Sequence, residues 1–359
     1  MNPVRAWNQF FFRPISARPL GLIRILFGMV ALYNLALCSV DLDYWYTGAG
    51  LLPGDESWVI AGSLSPSLLQ FYQDPFTVRL VFAFTTAAAF FLMIGWRSRL
   101  MSILFYLGML MIHNRNLVSS SGADVLLIVY AFNLMLCPTG AAYSVDAWLA
   151  NRKRGTVAEP IIIPWSFRLI QIQISLIYTM AAVLKTGGNL WVNGSALHYV
   201  LNNTEVTRFN LGFLSQYPVL INVMTYGSLA VEFALAFFLW FRATRPTVIV
   251  LGLLLHVGIT ITINIPIFAE LMWIGYLAFL TPPEFDALMR AIDVRRLFRR
   301  APAREESAES LADSPTGLSF PAFGSASIHV RLDSGGGLLG PHRIDVLPSS
   351  IRSSEELSL

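Results

Sequence analysis

The sequence predicts an all-α protein, a polytopic membrane bundle of about eight transmembrane helices with a disordered C-terminal tail. Two observations lead to this fold class. Of the 359 residues, 55% are hydrophobic and only 13% are charged, which is too apolar for an ordinary soluble domain. Several apolar runs also approach the roughly 20 residues that a helix needs to cross about 30 Å of hydrocarbon.

The runs that meet this demand predict the individual spans. They lie at Leu20–Leu37, Phe76–Trp96, Leu100–His113, Asp124–Pro138, Trp165–Leu184, Val219–Phe241, Val248–Asn264 and Ile267–Leu280. The third, fourth and eighth are short enough to be tilted, buried in the bundle or partly re-entrant.

Basic residues in the short loops predict the orientation, because Lys and Arg accumulate on the cytoplasmic side. The segment 41–75 has no Lys or Arg, whereas the N-terminal arm, the loop 151–154 and alternate connections are basic. We therefore expect an integral, multi-pass protein of the cell inner membrane with both termini in the cytoplasm. The formal net charge of +3 follows from this topology, so no nucleic-acid partner is expected.

Composition divides the chain into three parts. Residues 1–285 hold the spans, and Pro282 and Pro283 stop the last one. Residues 286–300 form a basic cytoplasmic segment beside the membrane, and residues 301–359 are rich in Ser, Gly and Pro, which predicts a disordered tail. The two cysteines, Cys38 and Cys137, predict neither a disulfide framework nor a thiol metal site.

Polar residues within or beside the spans are the candidate site, because ionisable groups in hydrocarbon are costly. Four clusters stand out. They are His113, Arg115, Asn116 and Asp124; then Lys185, Trp191, Asn193, Gly194 and His198; then Glu232; and then His256.

Each cluster has a structural interpretation beside the functional one. Lys185 could snorkel to the interface beside Trp191, and His113 and Arg115 could pair with Asp124. His256 could bond a carbonyl group of a neighbouring helix, and Glu232 could bond an arginine or a hydroxyl group. A lysine in a poorly hydrated pocket, however, holds its proton less firmly, which would let Lys185 act as a base.

The stretches RNLVSSSGADVLL, AVLKTGGNLWVNGSAL and LLHVGITITINIPIFAELMW resemble the HTTM (horizontally transferred transmembrane) domain, a family that includes the vitamin K-dependent gamma-carboxylases. The resemblance covers roughly residues 10–285. A lysine followed closely by W-x-x-G is its most specific element, which Lys185, Trp191 and Gly194 match. His113 and His256 match histidines in similar positions.

The resemblance implies a chemistry. In the carboxylases the corresponding lysine deprotonates vitamin K hydroquinone, and the oxidation that follows removes a gamma proton from a glutamyl side chain for attack on carbon dioxide. Lys185 would then be the base, and His113 and His256 would orient a reduced, vitamin K-like quinone or stabilise its anion. We expect the substrate-binding residues to be Arg115, Asn116, Asp124, Trp191, Gly194 and Glu232, with no metal.

One departure affects the expected substrate. The carboxylases have a large luminal region beyond the spans, whereas here a short tail follows. This favours quinol oxidation without carboxylation, or action on a peptide brought by a partner protein. A non-catalytic membrane partner or maturation factor, and a small-molecule carrier, remain alternatives. The carrier is less favoured because no internal repeat is visible.

Overall fold

The computed structural model describes residues 2–53, 67–156 and 159–292. These residues form an all-α bundle, which confirms the predicted fold class. Asp55, Glu56, most of the basic segment (293–300) and the tail (301–359) lie outside the described residues, so the predictions made for them stay predictions.

Fourteen α-helices occur in the described part of the chain. They are α1 (Pro3–Phe12), α2 (Arg18–Cys38), α3 (Leu42–Tyr46), α4 (Pro75–Ile94), α5 (Ser98–Arg115), α6 (Gly122–Leu136), α7 (Val145–Arg154), α8 (Trp165–Thr186), α9 (Asn189–Val192), α10 (Ala196–Asn202), α11 (Pro218–Phe238), α12 (Arg245–Thr262), α13 (Phe268–Tyr276) and α14 (Pro282–Ile292). Short 3-10 helices lie at Leu68–Gln70, Gly212–Gln216 and Leu277–Phe279. Two short strands, β1 (Ile15–Ser16) and β2 (Ile161–Ile162), pair antiparallel.

Every predicted span corresponds to a helix. Five of the helices in the described residues, α2, α4, α8, α11 and α12, are long and apolar enough to cross a membrane. The helices α5, α6 and α13 occupy the three short runs, and α13 continues into the 3-10 turn Leu277–Phe279. Large apolar side chains face outward along the bundle: Phe76 is 75% exposed and Val219 is 77% exposed. Such a surface belongs in a lipid bilayer, so the chain is an integral membrane protein.

Local chemistry sets the helix ends. Proline occupies the first turn of four spanning helices, where its fixed φ suits the helix and its missing N–H costs nothing. The Asp74 carboxylate accepts the backbone N–H of Thr77 at 2.9 Å, which caps α4. Gly95 ends α4 at φ +76°, a conformation that favours glycine.

The centre of the bundle is built around α2. Phe27 packs edge-on against Phe105, with ring centroids 5.7 Å apart, and stacks on Tyr130 at 6.2 Å. The Tyr130 hydroxyl donates to the Leu271 carbonyl at 2.9 Å, which ties α6 to α13. Gly275 of α13 lies directly against the Tyr130 hydroxyl, where a Cβ atom would collide.

The turn into α14 is fixed by Glu284. Its carboxylate accepts the Thr281 backbone N–H at 2.6 Å, the Thr281 hydroxyl at 2.8 Å and Arg245 Nη1 at 3.0 Å. Burial alone would raise the pKa of this carboxyl, but these hydrogen bonds and the Arg245 charge outweigh burial and lower it.

Candidate functional site

Lys185 and Glu232 form an ion pair between two spanning helices. Lys185 lies in the last turn of α8, and its Nζ donates to Glu232 Oε1 on α11. The ammonium also lies 4.6 Å from the centroid of the Trp191 ring, a cation–π contact. The Lys185 side chain is 26% exposed and that of Glu232 is 9% exposed. The Lys185 side chain is therefore held by protein contacts but remains partly exposed at the surface.

This pairing depends on how α11 is placed along α8. Lys185 is at the end of α8, yet Glu232 is four turns into α11, because α11 begins beyond the end of α8. The connection covers this first part: the Tyr226 hydroxyl donates to the Val192 carbonyl at 2.8 Å. Gly194 turns the chain there at φ +79°, and a Cβ atom on it would press on Tyr226 and Asn222.

A second set of polar groups, Tyr178, His256 and Tyr276, lies within the bundle. The Tyr178 hydroxyl is 2.8 Å from His256 Nε2 and also bonds the Tyr276 hydroxyl. His256 is only 2% exposed, and its Nδ1 is buried with no hydrogen-bond partner in the described structure. The Glu232 Oε2 atom is likewise buried without a partner.

The two sets form one polar cluster. Tyr178 lies seven residues before Lys185 on α8, so both are on one face of that helix. The Tyr178 hydroxyl reaches the other two groups of the second set. Four helices, α8, α11, α12 and α13, therefore bring a cation, an anion, an imidazole and two phenols together between apolar surfaces. Such a group can move a proton and can donate hydrogen bonds to a developing oxyanion.

His113, Arg115, Asn116 and Asp124 lie elsewhere, at the turn between α5 and α6. Asp124 forms a capping box with Ser121 at the start of α6, and His113 Nδ1 is 3.1 Å from the Ser120 hydroxyl. Within the described ranges, no hydrogen bond or ion pair joins His113 to Lys185, Glu232 or His256. The predicted role of His113 at the quinone therefore stays a prediction.

Arg115 and Asn116 hold the loop that follows α3. The Arg115 guanidinium is 1% exposed and donates to the carbonyl oxygens of Thr47 at 3.0 Å and Leu52 at 2.6 Å. The Asn116 amide donates to the Trp45 carbonyl at 2.9 Å. Main-chain carbonyls, rather than Asp124, thus accept the hydrogen bonds of this buried cation through its Nη2 atom, while its Nε and Nη1 atoms have no partner in the described structure.

The comparison with protein families agrees with the resemblance seen in the sequence. The model of the HTTM domain matches residues 12–283, which include all the predicted spans. The chain belongs to the HTTM domain family. No solved structure matches this HTTM domain.

Two members of the polar cluster in this HTTM domain were missed by sequence reasoning, namely Tyr178 and Tyr276. Tyrosine is common within apolar runs, so neither residue stood out. One signal was present: Tyr178 precedes Lys185 by seven residues, which puts both on one face of a helix. Among the described residues, no group of three or more His, Cys, Asp or Glu side chains could hold a metal ion.

Proposed function

We propose that this HTTM-family protein is a quinol-dependent membrane enzyme in which the Lys185–Glu232 pair accepts a proton from a weakly acidic hydroxyl group. The observation that supports the proposal is the buried Glu232 Oε2 atom, an acceptor with no hydrogen-bond partner in the described structure, beside a cation held in the last turn of a span. A merely structural ion pair does not need a free acceptor.

The proton has to be accounted for. An ammonium group cannot act as a base, and Lys185 is paired with a carboxylate. Transfer of one proton from Lys185 to Glu232 converts the pair to an amine and a carboxylic acid without changing the net charge. The amine can then accept the hydroxyl proton of the substrate and return to the ammonium form, which stabilises the new anion.

The other groups suit a flat, oxygen-bearing ring. Tyr178, His256 and Tyr276 carry one donor proton each when neutral, and two of these protons are used in the hydrogen bonds among them. The third can be donated to an oxygen atom that gains charge. Trp191 and Phe268 offer aromatic surface. The ring centroid of Phe268 lies 5.5 Å from that of His256. A bound reduced quinone would supply two electrons and two protons to an oxidant such as oxygen.

Oxygen uptake by the purified protein, given reduced naphthoquinones, tests this function. Lys185→Ala should lower the rate by about 10²- to 10⁴-fold, the usual contribution of a general base. The chain has one other lysine, Lys153, exposed on α7, so Lys153→Arg is the matched control and should keep the parent rate. Full turnover by Lys185→Ala would refute the assignment.

Adding glutamyl peptides to the same assay separates quinol oxidation from carboxylation. If oxygen is consumed when no peptide is present, and an added peptide gains no labelled carbon dioxide, the protein oxidises the quinol without carboxylation. If no reduced naphthoquinone is consumed under any condition, a non-catalytic partner or maturation factor becomes the better interpretation.

We also infer that both termini lie in the cytoplasm and that the membrane is the cell inner membrane. The support for the orientation is the charge asymmetry: Arg97, Arg152 and Arg242 lie in connections on the side of the N-terminal arm, whereas segment 41–53 has no basic residue.

A further inference from the structure

A cavity of about 560 Å³ lies at the end of the bundle that carries the N-terminal arm. Its walls are the ends of several spans. They include the start of α2 (Pro19), the start of α8 (Phe167), the residues after α11 (Trp240) and the 3-10 turn after α13 (Phe279). The residues of the N-terminal arm before α2 complete the lining. A site formed by span ends and this arm lies at the level of the lipid headgroups. It is at the opposite end of the bundle from Lys185 and does not depend on the proposed enzyme function.

Five arginines line this cavity, and no Asp or Glu does. They are Arg13, Arg18, Arg168, Arg242 and Arg245. Three have partners: Arg245 bonds Glu284, Arg18 pairs with Asp286 and Glu159, and Arg168 bonds Gln171 and the Phe10 carbonyl. Arg13 and Arg242 have no ion-pair or hydrogen-bond partner among residues 2–53, 67–156 and 159–292. The cavity therefore carries positive charge that the described protein leaves unpaired.

Apolar surface adjoins these cations. Phe10 and Trp240 lie 5.7 Å apart between ring centroids, and Trp240 packs against Phe279 at 5.2 Å. The helix α1, which supplies Phe10, has no buried residue, and its Trp7 is 60% exposed. An amphipathic helix with exposed aromatic side chains at the end of a bundle lies in the membrane interface. A ligand here would meet cations on one side and hydrocarbon on the other.

We propose that this cavity binds the phosphate of an anionic phospholipid, with the acyl chains against the aromatic surface of α1. Guanidinium groups bind phosphate oxygens through paired hydrogen bonds, and basic pockets between spanning helices suit anionic headgroups. The apolar surface beside the arginines favours a lipid over free phosphate. Arg13 and Arg242, which have no partner in the described structure, bind the phosphate most directly.

Native mass spectrometry of the full chain in detergent tests the site with phosphatidylglycerol as the probe and phosphatidylcholine as the neutral comparison. The variant Arg13→Gln/Arg242→Gln should lose about 25-fold in affinity for phosphatidylglycerol, at about fivefold per arginine near an anionic headgroup. The control Arg99→Gln/Arg152→Gln removes the same charge from exposed residues outside the cavity and should keep the affinity.

Three results would overturn the proposal. The control could lose as much affinity as the cavity variant, which would mean general attraction to a basic surface. Phosphatidylcholine could bind as tightly as phosphatidylglycerol. Inorganic phosphate could bind with the affinity of the lipid, which would make the site one for a soluble anion. Melting of both variants in phosphatidylcholine checks folding, and equal melting temperatures assign any loss of affinity to the site itself.

Discussion

Breaking the Lys185–Glu232 pair should have unequal effects, depending on which partner is removed. Removing one member of a buried ion pair costs about 3–5 kcal/mol when it strands the other charge. Lys185→Met strands the Glu232 carboxylate, whose side chain is only 9% exposed, so we expect a loss near the lower limit, about 3 kcal/mol. Glu232→Gln strands Lys185, which is 26% exposed and can turn towards water, so about 1 kcal/mol is expected.

The double variant Lys185→Met/Glu232→Gln has no stranded charge and should lose no more than about 1 kcal/mol relative to the parent. Because the two single losses sum to about 4 kcal/mol, the coupling between the two sites should be about 3–4 kcal/mol. Unfolding in mixed micelles titrated with SDS measures these free energies. Additive losses, or a larger loss for Glu232→Gln than for Lys185→Met, would refute the pairing.

Three further predictions concern the rest of the domain. Gly275→Ala should cost about 1–3 kcal/mol in the same unfolding assay, because its methyl group would collide with the Tyr130 hydroxyl, whereas Gly258→Ala, with open space around the Cβ position, should be tolerated. The pKa of Glu284 is lowered in the folded protein, so its contribution to stability is complete above the ordinary pKa of 4.5 and is lost as the pH falls below that value. Glu284→Gln should therefore be about 1 kcal/mol less stable than the parent at neutral pH, and the melting temperatures of the two proteins should converge in acid. Melting temperatures that stay equally far apart at every pH would contradict this. In a cysteine-free background, an impermeant thiol reagent should label a cysteine at Asp74 in intact cells and leave one at Arg152 unlabelled, and the reverse pattern would overturn the orientation.

The spans could be predicted from the sequence because hydrocarbon thickness sets the length of an apolar run. The fifth predicted span begins at Trp165, as α8 does, and the sixth begins one residue after the start of α11 at Pro218. Even the short eighth run is a helix, which ends in a 3-10 turn. These features are local, so composition and proline positions suffice to place them.

The assembly of the site could not be predicted in the same way. Lys185 and Glu232 were both singled out, but they are 47 residues apart. Their contact depends on the offset of α11 along α8, which the packing of the 189–202 segment determines. The family resemblance placed His113 at the same site as Lys185, and that role stays a prediction. Contact between side chains on different helices depends on their lateral position in the bundle. Lateral position depends on tertiary packing, for which hydrophobic periodicity gives no signal.

The hydrogen bonds of Arg115 have a consequence for how the protein is made. A guanidinium at the far end of α5 must leave water during insertion, which is costly until acceptors surround it. The carbonyls that receive it belong to Thr47 and Leu52, which precede it by 68 and 63 residues. The ribosome therefore completes the acceptors before the donor, and the α5–α6 hairpin can dock as it emerges, with its charge solvated by chain already in place.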